Sequence, residues 1–318
     1  MQAGRSCPLH YRRDPAALRR PADVRADAFL IAGGLYGNSE ALAEIEAMAD
    51  DEGARLCFNG DFHWFDAQAE LFARIEAGTA RHLRTAGNVE AELADPCGAG
   101  CGCAYPDTVP DAFVERSNAI MERLQKVVTP TQRETLAGLP VDLRVEVGAL
   151  QVAVIHGDPE SLAGWGLAIE AREADPRGFA DCLTEWFRVT DVDVIACTHT
   201  CLAHALRLTV DGRDRILINN GSAGMANFRD DARGLVTRIA ARSSTRALYA
   251  TELAGLSVEA VPVAFDAREW LDRFSRLWPA GSAAALNYAA RIAGGPLHER
   301  ERAIGDGFTA GALAAANA

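Results

Sequence analysis

The sequence predicts an α/β fold in which strand ends deliver loops to one edge of a sheet. Two observations predict it: short apolar runs that stop at Gly or Asn-Gly, and helical-period segments alternating with those runs. Residues 27–33, Asp-Ala-Phe-Leu-Ile-Ala-Gly, form such a run, suited to a buried parallel strand that ends in a tight turn. Behind it Ser39-Glu40 opens a helix with Leu42, Ile45 and Met48 at helical spacing. Arg55–Asn59 repeats the strand pattern before Gly60-Asp61, a helix is expected over Ala67–Gly78, and His82–Ala86 is the next strand, before Gly87-Asn88. Phe113, Ile120, Leu124 and Val127 share a helical face, and Thr129-Pro130 starts another helix that ends near Gly138.

Leu143–Val147 and Leu150–Ile155 flank Gly148-Ala149 as a hairpin that runs into His156. Asp193–Ala196 is a short strand leading into Cys197-Thr198-His199-Thr200-Cys201. Leu206–Val210 and Arg215–Ile218 flank Asp211-Gly212 as a second hairpin, ending at Asn219-Asn220-Gly221-Ser222. A strand at Val258–Ala264 and helices around Trp270–Leu277 and Ala283–Ile292 complete the pattern; Trp270, Trp278 and Tyr288 are expected to pack as a cap. The expected organisation is an extension over 1–26, a main domain over 27–264 and a helical cap and tail over 265–318. The Ala-rich stretch after Gly311 is expected to fray.

A chain of 318 residues, 49% apolar and 24% charged, can bury a core without disulfide staples. Its formal charge of -12 gives no global positive field, which argues against a nucleic-acid backbone as the main partner. No run approaches the roughly 20 apolar residues of a membrane span. Arg5, Arg12, Arg13, Arg19 and Arg20 without an apolar core do not form a secretory signal, so the cytoplasm is the expected compartment, with cysteines as thiols or ligands.

Asp, Asn and His at successive strand ends are oxygen and imidazole donors suited to Mn, Fe, Zn or Ni. Five motifs occur in order: Gly33-Gly34-Leu35-Tyr36-Gly37-Asn38, Asn59-Gly60-Asp61, Ala86-Gly87-Asn88-Val89-Glu90, Ile155-His156-Gly157-Asp158, and Cys197-Thr198-His199-Thr200-Cys201. In this order the chain resembles the calcineurin-like metallophosphoesterases, in particular their small bacterial phosphodiesterase branch, from about residue 27 to about residue 264. The resemblance implies a sandwich of two mixed β-sheets flanked by helices. It implies Asp61 as the carboxylate bridging two ions, and Asn88, His156 and His199 as the other ligands of the second ion. The three ligands exclusive to the first ion fall on Gly34, Tyr36 and Cys201, none of them the family's residue, and the His that assists the leaving group falls on Val89.

The losses sort by metal, so the expected cofactor is one divalent ion per chain, and the expected activity is hydrolysis of a phosphodiester or phosphomonoester of a small molecule. Replacement charge stabilisation is sought from Arg12, Arg13, Tyr36, His63 and His204, with Tyr36 and His63 favoured because their loops should line the cleft. Two alternatives stand beside it: a weakened pseudoenzyme that binds a phosphorylated ligand, and a cysteine-based metal or redox sensor. The sensor would use Cys97, Cys101, Cys103 and Cys201, three of them in a glycine-rich loop. That loop is open to three readings: thiols facing the interior, a thiolate metal site, or a redox switch. The segment Cys7-Pro8-Leu9-His10-Tyr11-Arg12 has no role assignable from spacing.

Overall fold

A computed structural model describes residues 2–311, so the Ala-rich stretch after Gly311 lies outside the described residues. The apolar runs pair into two mixed sheets. One has the order β1 (Val24–Ala26), β5 (Asp142–Val147), β6 (Leu150–Ile155), β7 (Val194–Cys197), β9 (Arg213–Asn219), β8 (His204–Val210). The other has the order β13 (Thr309–Ala310), β11 (Tyr249–Leu253), β12 (Leu256–Val263), β10 (Gly234–Ala240), β2 (Phe29–Ala32), β3 (Arg55–Asn59), β4 (Leu83–Thr85).

Phe29, Ile31 and Cys57 of the second sheet meet Val145, Val152, Val154, Val194, Ile216 and Ile218 of the first in one buried cluster, so the sheets stack face to face. Helices Ser39–Glu52, Ala69–Thr79, Asp111–Leu124 and Ala267–Leu277 contribute Ile45, Phe72, Ile120 and Phe274 to the core outside the second sheet. Helix Pro176–Thr190 places Phe179, Leu183, Trp186 and Phe187 on the outside of the first. The fold is therefore an α/β sandwich of two mixed sheets between helical layers. No helix among the described residues is long and apolar enough to cross a membrane.

Strands β2, β3 and β4 run parallel, as do β6, β7 and β9. Parallel strands end on the same side, which brings the loops after β2, β3, β4, β6, β7 and β9 to one edge of the sandwich. Strands β1, β10, β11 and β13 and the helices at Asn88–Ala94, Ile169–Ala174 and Pro176–Thr190 are additional to the elements expected from the pattern. Strand β10 escapes that pattern because Arg238 interrupts its apolar run. It is nonetheless central, paired with β2 and β12, and Arg238 is tolerated there because Glu52 (2.6 Å) and Glu259 (2.7 Å) neutralise it.

Candidate metal centre

Each candidate ligand sits one to three residues past a strand end, where the chain turns sharply. Gly60 and Asp61 both take left-handed backbone angles (φ 74° and 53°). A side chain at Gly60 would overlap Gly87 and the His156 ring, so glycine there allows the loops after β3, β4 and β6 to touch. Glu90, fully buried, accepts hydrogen bonds from the Asp61 (2.7 Å) and Gly87 (2.9 Å) backbone N–H groups and thereby ties the second motif to the third. Burial, reinforced by the Asp61 charge, pushes the Glu90 carboxyl up to about 7.

Asp61, His156 and His199 offer ligand atoms all within 4.8 Å of one another, and all three residues are buried. Nε2 of His156 lies 3.4 Å from Asp61 Oδ1, 3.2 Å from Asn88 Oδ1 and 3.3 Å from Nδ1 of His199. The structure thus brings Asp61, Asn88, His156 and His199 to one point. The other ring nitrogens fix the tautomers: His156 Nδ1 donates to the Asn59 carbonyl (3.0 Å) and His199 Nε2 to the Cys103 carbonyl (2.9 Å). A carbonyl only accepts, so the inward-facing nitrogens carry lone pairs. The Asn88 amide donates to the Cys101 carbonyl (2.9 Å), which turns its oxygen inward as well.

A cluster of inward lone pairs needs a cation, and oxygen and imidazole donors oriented by outer carbonyls suit a borderline divalent metal. The residues present fit one ion. Titration reflects the same crowding. Burial, then the neighbouring His156, holds His199 down at about 4. Burial pushes His156 the same way, but the Asp61 carboxylate outweighs it and raises His156.

Beside these residues, the space at Gly34 is filled by protein. Tyr36 and Cys201 are both left-handed (φ 56° and 59°), and their side chains meet at 2.6 Å between the Tyr36 hydroxyl and Cys201 Sγ. A Cβ on Gly34 would overlap the Tyr36 ring. The three substitutions are therefore one packing event: Gly34 vacates the space, Tyr36 fills it and Cys201 satisfies the phenol. Cys201 Sγ donates to the His199 carbonyl (3.2 Å), so the phenol proton points at the sulfur. Tyr36, expected as a catalytic group, is better described as the plug of this position, although it borders the cleft.

His63 does not reach the cleft. The left-handed turn at Asp61 sends Phe62 and His63 into the core, where His63 stacks on Phe72 with ring centroids 3.7 Å apart. Nδ1 pairs with Asp66 at 2.5 Å and Nε2 with Glu76 at 3.3 Å, so neither nitrogen is free for a substrate. Burial opposes its charge, yet Asp66, then Glu76, raise it from 6.5 to about 9. A raised folded value means that this contribution to stability is complete below about pH 6.5 and is lost as pH climbs through about 9. Urea denaturation should show a loss of up to roughly 3 kcal/mol between about pH 6 and about pH 9.5. The His63→Gln chain should lack this step; an equal loss in both would assign the pH dependence elsewhere.

His204 is buried, with Nε2 donating to the Leu167 carbonyl (2.9 Å), and Arg12 and Arg13 lie outside the cleft lining. The four sulfurs Cys97, Cys101, Cys103 and Cys201 do not form one site. Cys101 packs in the core, Cys103 lies beside Asn88 (3.5 Å), Cys201 pairs with Tyr36, and Cys97 faces Glu92. All eight cysteines are free thiols.

In front of the ligands opens a cleft of about 460 Å³ bordered by Trp64, Tyr105, Phe113, Trp165 and Tyr288. Besides Asp61, its charged lining residues are Glu170 and Arg291. Arg291, on helix Ala283–Gly294, donates to the Cys201 (2.8 Å) and Ala226 (3.3 Å) carbonyls and so stands next to the plugged position. Sequence reasoning did not find Arg291, because an isolated arginine in a helix has no local signature. Tyr288, expected as cap packing, borders the cleft.

No family model matches the chain, and no curated protein matches it. Among solved structures it is similar to a metallophosphoesterase from Sphaerobacter thermophilus, with 16% identity, a TM-score of 0.52, and coverage of 85% of this chain and 100% of that one. It is also similar to a hypothetical protein from Pyrococcus horikoshii, at 16% identity and a TM-score of 0.56, over 86% of this chain and 99% of the other. The likeness establishes the fold: the chain shares the α/β sandwich of two mixed sheets seen in these structures.

Proposed function

We propose that this chain hydrolyses a small phosphodiester at a single divalent ion held by Asp61, Asn88, His156 and His199. The observation that carries the reading is the convergence of these four side chains beside a neighbouring position closed by Tyr36. A divalent ion there would supply positive charge to a phosphoryl oxygen and increase the acidity of a water molecule. The protein's own groups supply the rest. Arg291 keeps donors to spare beyond its two carbonyls and is placed to hold a second phosphoryl oxygen where the first ion would otherwise act. The aromatic walls take up an apolar or planar substituent, and Asn59 and Cys103, through their carbonyls, keep both histidines in the ligating tautomer.

One guanidinium, with the Glu170 carboxylate opposing further negative charge, in a mostly apolar cleft suits a monoanionic diester better than a polyphosphate. Val89 stands where the family places its leaving-group histidine, so the favoured leaving group is one that departs without a proton. The test is turnover of a graded series of aryl phosphodiesters and monoesters with Mn or Zn. Diesters should be hydrolysed at least about tenfold faster than monoesters, with rates rising steeply as the leaving phenol becomes more acidic. Val89 favours a second reading, binding without turnover; ligand-induced thermal stabilisation with no product would select it. Neither turnover nor stabilisation would remove both.

A further inference from the structure

We propose a second metal site outside the cleft, in which His10, Glu92 and Cys97 bind a zinc-type ion and fasten the N-terminal segment to the helix that carries Asn88. The ligand atoms of these three residues lie within 4.8 Å of one another. They come from three separate elements: the short turn Leu9–Tyr11, helix Asn88–Ala94, and the glycine-rich loop that follows it.

Glu92 is the observation that calls for an ion. It is 1% exposed and forms no ion pair with Lys, Arg or His among the described residues. One oxygen accepts from the Tyr11 hydroxyl (2.9 Å) and the Cys97 thiol (3.3 Å); the other is buried with no hydrogen-bond partner. A buried carboxylate without a counter-charge is strongly disfavoured, and neutral donors on one oxygen do not balance it. A divalent cation on the unpartnered side would.

The flanking groups are the right ones for such an ion. His10 is exposed, its ring against the edge of Tyr11, and neither nitrogen has a partner among the described residues. Cys97 is a half-buried free thiol. Nitrogen, oxygen and sulfur donors in one set select zinc or cobalt over magnesium or manganese, and three protein ligands leave a position for water.

The site would also steady the cleft. Tyr11 reaches the Asn88 carbonyl (3.4 Å), and the loop that begins at Cys97 supplies the Cys101 and Cys103 carbonyls that orient Asn88 and His199. An ion at Cys97 therefore anchors the loop that positions two cleft ligands. This assignment is independent of the phosphodiesterase reading and would survive its failure.

The test uses the full chain with His199→Ala, which disables the cleft, under reducing conditions, and cobalt(II) as the probe. Thiolate-to-cobalt charge-transfer absorption should appear at about one cobalt per chain and be displaced by zinc. Adding Cys97→Ser should abolish it. Adding His10→Ala, at an exposed position where the ring meets the edge of Tyr11, should weaken binding by roughly 100-fold, because even losing an outer partner of a ligand costs about 10- to 100-fold. Absence of the absorption, or its survival in the Cys97→Ser chain, overturns the proposal.

Discussion

Asp61→Asn is expected to release the cleft ion and lower kcat/KM on an aryl phosphodiester by roughly 10³-fold or more. A divalent ion there would supply several kilocalories of transition-state charge stabilisation, and each 1.36 kcal/mol is about tenfold in rate. Asparagine is the informative replacement here. The backbone at this position is left-handed (φ 53°), which asparagine tolerates better than alanine does. Asparagine also keeps an oxygen for the Val89 N–H, 3.2 Å away, so the loop should fold as before. What is removed is the negative charge that outweighs burial at His156. Elemental analysis and kinetics on the same preparation check it: retained activity with retained metal would remove Asp61 from the site, and lost activity with retained metal would make its role catalytic and not ligating.

Arg291→Met should lower kcat/KM by roughly 10²- to 10³-fold, the range found when one preorganised charge donor is deleted from an active site. Methionine keeps much of the apolar stem, so the loss isolates the guanidinium. If Arg291 serves only to tie helix Ala283–Gly294 to the Cys201 and Ala226 carbonyls, the melting temperature will fall while kcat stays. If it holds a phosphoryl oxygen in the transition state, kcat will fall with metal content unchanged. Arg291→Lys should recover part of the rate, since lysine restores the charge but not the fork that spans carbonyl and phosphate.

The four candidate ligands were legible because their motifs follow the order of a family the chain resembles and each lies one to three residues after an apolar strand, where position along the chain and position in space coincide. Asp61, Asn88, His156 and His199 could be named before any coordinates, and so could the three altered positions. That Gly34, Tyr36 and Cys201 form a single plug was not legible: the overlap of a Gly34 side chain with the Tyr36 ring is a tertiary contact. His63 illustrates the opposite limit. Two residues from Asp61 it seemed bound for the cleft, but one left-handed turn reversed its direction and delivered it to Asp66, Glu76 and Phe72.

Long-range partners were hidden for a related reason. Arg291 meets Cys201 across 90 residues of sequence, and no spacing rule links a helix arginine to a strand-end loop. The cysteines of the 97–103 loop share a motif but not a direction, because three left-handed glycines, Gly98, Gly100 and Gly102, turn the chain between them. Strand β10 was obscured by one charged residue whose neutralising partners, Glu52 and Glu259, lie on other elements.

The central claim is one ion in the cleft beside a position closed by Tyr36. Its most direct test is the electron paramagnetic resonance spectrum of the chain carrying Cys97→Ser, which leaves the cleft as the binding site, saturated with manganese(II). The account predicts about one manganese per chain, with the hyperfine pattern of an isolated ion and its loss on adding His199→Ala. An exchange-coupled spectrum from two neighbouring manganese ions would contradict it, because it would put a second ion beside the first, in the space that Tyr36 and Cys201 are proposed to close.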